Sequence, residues 1–351
     1  MRRMICDIID HAERFEVADE AVNGLEALEF LQKKSYDGVV LDISMPKMDG
    51  LQLLAEIKKS RIPAKVMVVS SYTYEGAKTT LEALSLGALD FLQKPVGNSG
   101  EDQQLFKTNF LSTLEVVVDG EYPSFEDAEN KRAENGGSSS RAEQPPHMKE
   151  HLRGSRTHSV VAIASSTGGP RALQSVIPYL PEDLDAPVLL VQHMPKGFTL
   201  TLAERLDRLS KVHVKEAEEG EEIQNGVVYV AMGGMHMKVQ RAGGDRHVIR
   251  YSDEPPREGV KPSANYMYES LADCGFERIV CAVLTGMGAD GMEGIKGLRK
   301  RKNISVIAQD KETSTVYGMP MNVMKAGLAD LEAPLDQVAK EIVALLRQRN
   351  I

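Results

Sequence analysis

The amino-acid sequence predicts an α/β fold with two doubly wound parallel-sheet domains joined by a flexible linker. In both halves of the chain, short apolar runs of strand length alternate with stretches of helical spacing, which is typical of parallel sheets with helices on both faces. The 351 residues suffice for about two such domains. Residues 119–157 contain few apolar side chains and many Gly, Ser, Pro and charged ones, a composition that favours a flexible linker. We therefore expect domains at 1–118 and 158–351.

The composition is that of an ordinary globular protein, with 42% hydrophobic and 26% charged residues and a net charge of −9. Nucleic-acid-binding surfaces are basic, so we expect no nucleic-acid partner. The three cysteines, Cys6, Cys274 and Cys281, have neither disulfide nor metal-ligand spacing, which is typical of a reducing compartment. No apolar run approaches the roughly 18 residues of a membrane-spanning helix, and no signal peptide opens the chain. These features predict a cytoplasmic protein without membrane insertion.

The first domain opens with residues that read as the interior of a helix, Met-Arg-Arg-Met-Ile-Cys-Asp-Ile-Ile. Apolar runs then predict strands at 15–18, 38–42, 65–70 and 88–92, and helical spacing predicts helices at 24–33, 51–58 and 74–86. In the second domain we expect strands near 160–164, 188–192, 228–231, 279–284 and 304–308. Because ligands of such sheets bind at the carboxyl ends of the strands, functional residues are expected there.

Three polar side chains follow successive strands of the first domain. Asp42 ends a buried strand within Val-Val-Leu-Asp-Ile-Ser-Met-Pro-Lys-Met-Asp-Gly, Ser70 closes the next strand, and Lys94 precedes Pro95 after a third. A carboxylate, a hydroxyl and an ammonium group at one sheet edge could converge on a single phosphoryl group. The pattern therefore predicts a phosphorylation site; three unrelated loop residues are the alternative.

Residues 1 to about 118 resemble a two-component receiver domain, which has a flavodoxin-like fold. The resemblance implies that Asp42 accepts a phosphoryl group from a histidine kinase and that Ser70 and Lys94 hold the phosphoryl oxygens. It also implies a Mg²⁺ cofactor for phosphorylation, with Asp42 and the backbone carbonyl of Ser44 as ligands.

The chain departs from the receiver pattern at its start, because the first strand and the acidic pair at its end have no counterpart before the first helix. In a sheet of strand order 2-1-3-4-5, that strand would be central. Mg²⁺ requires near-octahedral oxygen ligation, which Asp42 and one carbonyl leave incomplete. We therefore expect impaired Mg²⁺ binding and slow or absent phosphorylation. A true start upstream of Met1 would explain the gap equally well.

Three strand ends of the second domain carry reactive side chains. Ser166 follows the first strand, His193 the second, and Asp290 the strand at 279–284. A serine hydroxyl becomes nucleophilic when an imidazole takes its proton, and a carboxylate orients that imidazole, so these residue types suit serine hydrolysis. Residues 164–168 read Ala-x-Ser-x-Gly, one residue away from the nucleophile-elbow pattern. A capping serine in a tight turn would read the same way.

Residues 158–350 resemble the catalytic domain of the chemotaxis protein-glutamate methylesterase family. The shared motifs are Ser-Ser-Thr-Gly-Gly-Pro (165–170), Gln-His-Met-Pro-Lys-Gly-Phe (192–198), Lys-Glu-Ala-Glu-Glu-Gly (215–220), Leu-Thr-Gly-Met-Gly-Ala-Asp-Gly (284–291) and Tyr-Gly-Met-Pro (317–320). The resemblance implies Ser166 as nucleophile, His193 as general base and Asp290 as its orienter, with no cofactor for hydrolysis. Backbone N–H groups near Thr167 and Met287 are the implied oxyanion donors.

The implied reaction is hydrolysis of γ-glutamyl methyl esters on the cytoplasmic helices of methyl-accepting chemoreceptors, which releases methanol. The resemblance also implies a second activity, deamidation of receptor glutamines. It further implies that the protein associates peripherally with receptor arrays. In this family the receiver covers the esterase site and phosphorylation relieves the block. Because the receiver is shortened, we expect weakened control in this chain.

Two other functions compete with this interpretation. The run Gly286-Met-Gly288-Ala-Asp-Gly291 matches the G-x-G-x-x-G pattern of dinucleotide-binding proteins, and Asp310 ends the following strand at a suitable spacing. Against NAD binding, the charge of Asp290 within that loop would repel a pyrophosphate. The second competitor is a non-enzymatic response regulator with a DNA-binding output domain. Such output domains are small and basic, whereas residues 158–351 are acidic and rich in strands.

Overall fold

The computed structural model describes residues 1–71, 73–95, 100–120 and 158–348. The chain forms two compact α/β units, one on each side of the predicted linker, and each unit has its own parallel sheet. Residues 121–157 of that linker lie outside the described residues. No helix within the described ranges is long and apolar enough to cross a membrane.

The described residues of the first unit form five helices and three parallel strands in the order β1-β2-β3. The helices are α1 (Arg2–Asp10), α2 (Gly24–Lys33), α3 (Gly50–Lys59), α4 (Tyr74–Leu86) and α5 (Gly100–Asp119), and the strands are β1 (Val39–Asp42), β2 (Val66–Ser70) and β3 (Asp90–Gln93). The predicted helices are confirmed within one residue. Strands β1 and β2 also agree with the predicted strands at 38–42 and 65–70, and β3 begins two residues later than the strand predicted at 88–92.

Polar residues fix where the helices of the first unit begin. The Asn23 side chain accepts hydrogen bonds from two N–H groups of the first turn of α2. Asp49 and Gln52 form a reciprocal capping box at the start of α3, and Thr73 caps α4. Each cap satisfies N–H groups that have no partner inside the helix, so the sequence specifies these boundaries locally.

The predicted strand at 15–18 is wrong, because these residues form no ladder hydrogen bonds. Phe15 and Val17 still pack against the core formed by α5, α1 and β2. In the predicted 2-1-3-4-5 order this segment would pair only with the first strand, which the described residues do not supply. Its apolar alternation is therefore satisfied by packing alone.

The second unit contains a seven-stranded parallel sheet in the order β12-β11-β10-β4-β5-β7-β6 and an antiparallel hairpin, β8-β9. Its strands are β4 (Ser159–Ser165), β5 (Val188–Gln192), β6 (His213–Glu216), β7 (Val227–Val230), β8 (His236–Arg241), β9 (His247–Ser252), β10 (Arg278–Val283), β11 (Ile304–Gln309) and β12 (Leu331–Ala333). Its helices are α6 (Gly169–Val176), α7 (Phe198–Leu209), α8 (Ala264–Ser270), α9 (Met292–Arg299), α10 (Met319–Lys325) and α11 (Val338–Arg347). All five predicted strands are present.

Strand β4 occupies the centre of the sheet, with β5 on one side and β10 on the other. Its Ser165 pairs with Gln192 of β5, and its Ala164 pairs with Val283 of β10. The chain order of the strands reverses at β4, and crevices form at such switch points on the carboxyl edge of a sheet. The residues that follow β4, β5 and β10 therefore leave the sheet at one edge and at the same level.

Candidate active site

Two serines end β4, and the structure gives them different environments. The Ser165 hydroxyl is buried and donates a hydrogen bond of 2.7 Å to Oε1 of Gln192. Ser166 is half-buried, its N–H donates to the Thr285 carbonyl at 3.0 Å, and its carbonyl accepts from Gly169 N at 2.7 Å. Within the described chain its hydroxyl makes no hydrogen bond. The backbone of Ser166 is fixed while its hydroxyl stays uncommitted.

Glycine is required where two motif loops approach Ser166. A Cβ atom on Gly286 would lie 2.7 Å from the Cβ of Ser166 and would also collide with Sδ of Met319. A Cβ on Gly169 would overlap Oε1 of Gln192. The Cβ of Ser166 cannot move without its backbone, so Gly286 is needed for that close approach, whereas a side chain at Gly169 would displace the Gln192 amide.

His193 directly follows β5, and its N–H donates to the Ser165 carbonyl at 3.1 Å. Its Nε2 lies 2.7 Å from Oδ2 of Asp290, and the two side chains are only 8% and 3% exposed. A carboxylate only accepts hydrogen bonds, so Nε2 carries the proton in the neutral ring. Nδ1 of His193 is then the basic nitrogen, and it is buried without a hydrogen-bond partner in the described structure.

The carboxylate of Asp290 is held by the segment that begins helix α8. Oδ1 accepts from the Ser263 hydroxyl at 2.7 Å and from Asn265 N at 3.1 Å, and Oδ2 accepts from Ala264 N at 2.6 Å. Burial alone would raise the pKa of the Asp290 carboxyl, but the hydrogen bonds from His193, Ser263 and Ala264 outweigh burial and lower it. Asp290 is therefore ionised when it contacts His193.

The two predicted oxyanion donors occupy turns next to Ser166. The Thr167 carbonyl accepts from the Thr285 hydroxyl at 2.9 Å, and Gly286 O accepts from Met319 N at 2.8 Å, so both turns are anchored. The N–H groups of Thr167 and Met287 donate no hydrogen bond to any described residue. They remain available to an oxygen atom of a bound substrate.

Sequence reasoning missed two groups that hold this site. The Gln192 amide donates to the carbonyls of Ser166 and His193 at 2.9 and 3.2 Å, so it links the two strand ends. Its position directly before His193 was the available signal. The contacts of Ser263 to Asp290 had no local signal, because 27 residues separate the two along the chain.

In the first unit, the structure brings together two of the three residues predicted to hold a phosphoryl group. Lys94 Nζ lies 2.6 Å from Oδ2 of Asp42, and Ser44 N donates to Oδ1 of Asp42 at 3.1 Å. The Ser70 hydroxyl instead donates to Gly76 O at 3.1 Å and accepts from Thr80 at 2.6 Å. Ser70 is thus buried against α4 and makes no hydrogen bond to Asp42.

The oxygen atoms described near Asp42 are too few to complete the coordination shell of Mg²⁺. Both oxygens of this carboxylate already accept hydrogen bonds, one of them from the ammonium group of Lys94. No group of three or more His, Cys, Asp or Glu side chains in the described ranges could hold a metal ion. One carboxylate and the Ser44 carbonyl leave most of an octahedral shell to other ligands.

Comparison with known proteins identifies both units. The family described as CheB methylesterase matches residues 161–342, and the response regulator receiver domain family matches residues 1–104. The crystal structure of the Thermotoga maritima CheB methylesterase catalytic domain superposes with a TM-score of 0.51 at 39% identity, covering 53% of this chain and 97% of that chain.

Full-length relatives have the same domain order and similar length. A protein-glutamate methylesterase/protein-glutamine glutaminase of Geobacillus kaustophilus is 40% identical, over 99% of this chain and 95% of the relative. The relative of the same name from Pyrococcus abyssi is 39% identical, over 98% of this chain and 90% of its own length. The chain belongs to the CheB methylesterase family and carries a receiver domain before its esterase domain.

Proposed function

We propose that this protein is a serine hydrolase that removes methyl groups from γ-glutamyl methyl esters of chemoreceptors, releases methanol, and deamidates receptor glutamines. The names of its full-length relatives support this substrate class. The observation that carries the proposal is the buried, unpartnered Nδ1 of His193 beside the turn that presents Ser166. A basic nitrogen at that position suits proton abstraction from a serine hydroxyl.

In the first step, Oγ of Ser166 attacks the ester carbonyl carbon and its proton passes to Nδ1 of His193. Asp290 stabilises the resulting imidazolium through the 2.7 Å contact with Nε2. The C–O bond to the methoxy group then breaks, and His193 returns the proton to that oxygen, so that methanol leaves. A γ-glutamyl ester of Ser166 remains.

In the second step, His193 takes a proton from water, and the hydroxide attacks the acyl-enzyme carbonyl. The bond to Oγ of Ser166 breaks, the serine regains its proton, and a glutamate carboxylate is released. The uncommitted N–H groups of Thr167 and Met287 supply hydrogen bonds to the oxyanion in both steps. A glutamine side chain follows the same course with ammonia as the leaving group.

The test is methanol release from methylated receptor by the Ser166→Ala protein. We expect kcat to fall by about 10⁴–10⁶, because the members of a triad act as a unit. Ser165→Ala is the matched control. Its hydroxyl holds Gln192 rather than lying free, so that variant should lose far less activity. Near-normal turnover by Ser166→Ala would refute the proposal.

We further infer that Asp42 is the phosphoryl acceptor for a histidine kinase and that the receiver domain controls the esterase. The contact of 2.6 Å between Lys94 and Asp42 supports this role, since an ammonium group there can neutralise phosphoryl charge. The donor set near Asp42 also leads us to propose weak Mg²⁺ binding and slow phosphorylation for the 351-residue polypeptide. Phosphate uptake as fast as that of a receiver with a complete Mg²⁺ ligand set would contradict the second point.

The receiver's control over hydrolysis is testable by removing residues 1–157. We propose that the protein acts in the cytoplasm at receptor arrays and that its receiver domain reduces access of substrate to the esterase site. Methanol release should then rise when the receiver and linker are absent. Equal rates for the full chain and residues 158–351 would show that this receiver exerts no inhibition.

A dinucleotide-binding function has less support. The turn from Gly286 to Gly291 contains the ionised Asp290 carboxylate, whose charge opposes that of a pyrophosphate. Addition of NAD to the protein should leave its melting temperature unchanged.

A further inference from the structure

His236, at the start of β8, is a buried histidine that the proposed reaction steps do not use. Its side chain has 0% exposure, and its ring lies 4.5 Å from the ring of Tyr266. Nε2 lies 3.2 Å from Pro255 O, and Nδ1 accepts from Ser263 N at 3.1 Å. Because a backbone carbonyl only accepts, the proton is on Nε2, and Nδ1 is the acceptor.

The hydrogen bond from Ser263 connects His236 to the reacting groups. Ser263 gives its N–H to His236 and its hydroxyl to Asp290, and the next two N–H groups also bind that carboxylate. The segment 263–265 therefore lies between the two side chains, with Asp290 on one side and His236 on the other. Asp290 in turn orients His193.

We propose that His236 is a positioning residue for hydrolysis, because it fixes the segment 263–265 that holds Asp290. This inference rests on the proposed function, since it assigns His236 to the same reaction. A displacement of about 1 Å at a catalytic group can cost about a hundredfold in rate, so an anchor behind the carboxylate matters for turnover.

The surroundings of His236 keep it in the neutral form that this role requires. Asp253, Glu254 and Lys261 are the charged groups that act on it, and Tyr266 packs against its ring. Burial is the main cause that lowers the pKa of His236. A protonated ring would place a proton on Nδ1 and lose the bond from Ser263 N.

The test compares two amide replacements in the full-length protein. His236→Asn places an amide oxygen close to the position of Nδ1 and can still accept from Ser263 N. His236→Gln reaches the position of Nε2 but offers no acceptor at Nδ1. We expect His236→Gln to lower kcat for methanol release by about ten- to a hundredfold with KM changed less than twofold. His236→Asn should recover most of the lost rate.

His247 is a matched control. It is the first residue of β9 and lies at the opposite end of the β8–β9 hairpin from His236. It is also buried and accepts a backbone N–H, from Gly275 at 2.9 Å through Nε2. His247 pairs with Arg241, which is five residues along β8 from His236. The two histidines are therefore separated by about 16 Å along the hairpin. His247→Asn removes that acceptor and should lower the melting temperature without changing kcat.

Two further measurements separate positioning from general damage. The low-field proton resonance of the bond between His193 and Asp290 should shift in His236→Gln and stay in place in His247→Asn. In an Asp290→Asn background, His236→Gln should lower kcat no further, because the group that it positions is already changed.

The outcomes distinguish this inference from the function on which it rests. Wild-type kcat in His236→Gln, while Ser166→Ala is inactive, would overturn the positioning role and leave the hydrolase intact. An equal loss of kcat in His236→Gln and His236→Asn, or in His247→Asn, would also overturn it. Activity in Ser166→Ala would instead refute the proposed function itself.

Discussion

Nε2 of His193 lies 2.7 Å from Oδ2 of Asp290, which leaves Nδ1 as the ring nitrogen without a partner in the described structure. This pairing determines the tautomer, since the ionised carboxylate can only accept the Nε2 proton. Nδ1 is therefore the nitrogen that we propose as the base for Ser166. Residues 263–265 donate three further hydrogen bonds to the Asp290 carboxylate and so hold it in contact with His193.

Asp290→Asn should reduce kcat by about 10³–10⁴ while the protein stays folded. An amide group can donate to Nε2, and the proton then moves to Nδ1, where it blocks abstraction from Ser166. Methanol release and melting temperature measured on one preparation would check this. A rate within tenfold of wild type would show that the carboxylate does not set the tautomer.

The contact between α8 and α9 provides a second prediction. A Cβ on Gly294 would lie 2.8 Å from both Cα and O of Asn265, whereas a Cβ on Gly297 would meet no atom within 4 Å. Gly294→Ala must therefore shift Asn265, whose N–H binds Asp290. We expect a loss of about 1–3 kcal/mol in unfolding free energy, together with reduced kcat.

Gly297→Ala is the matched control in the same helix. Alanine there should stabilise the protein by about 0.5–1 kcal/mol, because glycine has the greater conformational entropy when unfolded. Its kcat should not change. Denaturant unfolding and methanol release of the two variants would check both statements. Equal effects of the two substitutions would refute the packing argument.

The sequence was sufficient to predict the elements whose signal is local. Strands such as β4 and β5 are continuous apolar runs that end in motif residues, so Ser166 and His193 could be located before the fold was known. The contacts that complete the site are not local. Ser263 and His236 lie 27 residues apart along the chain, so their hydrogen bond forms only in the folded protein.

The one predicted strand that is absent has the same physical origin. The segment at 15–18 has a strand pattern, yet a strand forms only where a neighbour supplies hydrogen bonds. Ser70 ends β2 as predicted, and its hydroxyl bonds to Gly76 O and Thr80 of α4. Its contact with a phosphoryl group stays a prediction. Side-chain direction at a strand end depends on the packed helix, which the strand sequence does not encode.

A third prediction concerns the phosphoryl acceptor. Asp42→Asn should abolish the hydroxylamine-labile phosphate transferred from a phosphorylated histidine kinase, since an amide cannot form the acyl phosphate. Asp37→Asn changes an exposed carboxylate just before the same strand and should leave the incorporated phosphate unchanged. Label retained by Asp42→Asn would place the acceptor elsewhere.

The fourth prediction is that the esterase unit loses stability as the pH falls below about 6.5. Burial lowers the pKa of both His236 and His247 in the folded state, so the unfolded chain binds protons more readily below that pH. Stability is thus complete above the unfolded pKa and decreases as the pH falls from there toward the folded values. The melting temperature measured between pH 7 and about pH 5 should decrease steadily.

Replacing one of these histidines should make that dependence shallower. His247→Gln keeps an acceptor near the position of Nε2 for Gly275 N but cannot bind a proton. The folded and unfolded states of this variant then differ by one fewer titrating group, so its melting temperature should fall less on acidification. Identical slopes for the wild type and His247→Gln would mean that burial of His247 does not contribute to the acid sensitivity.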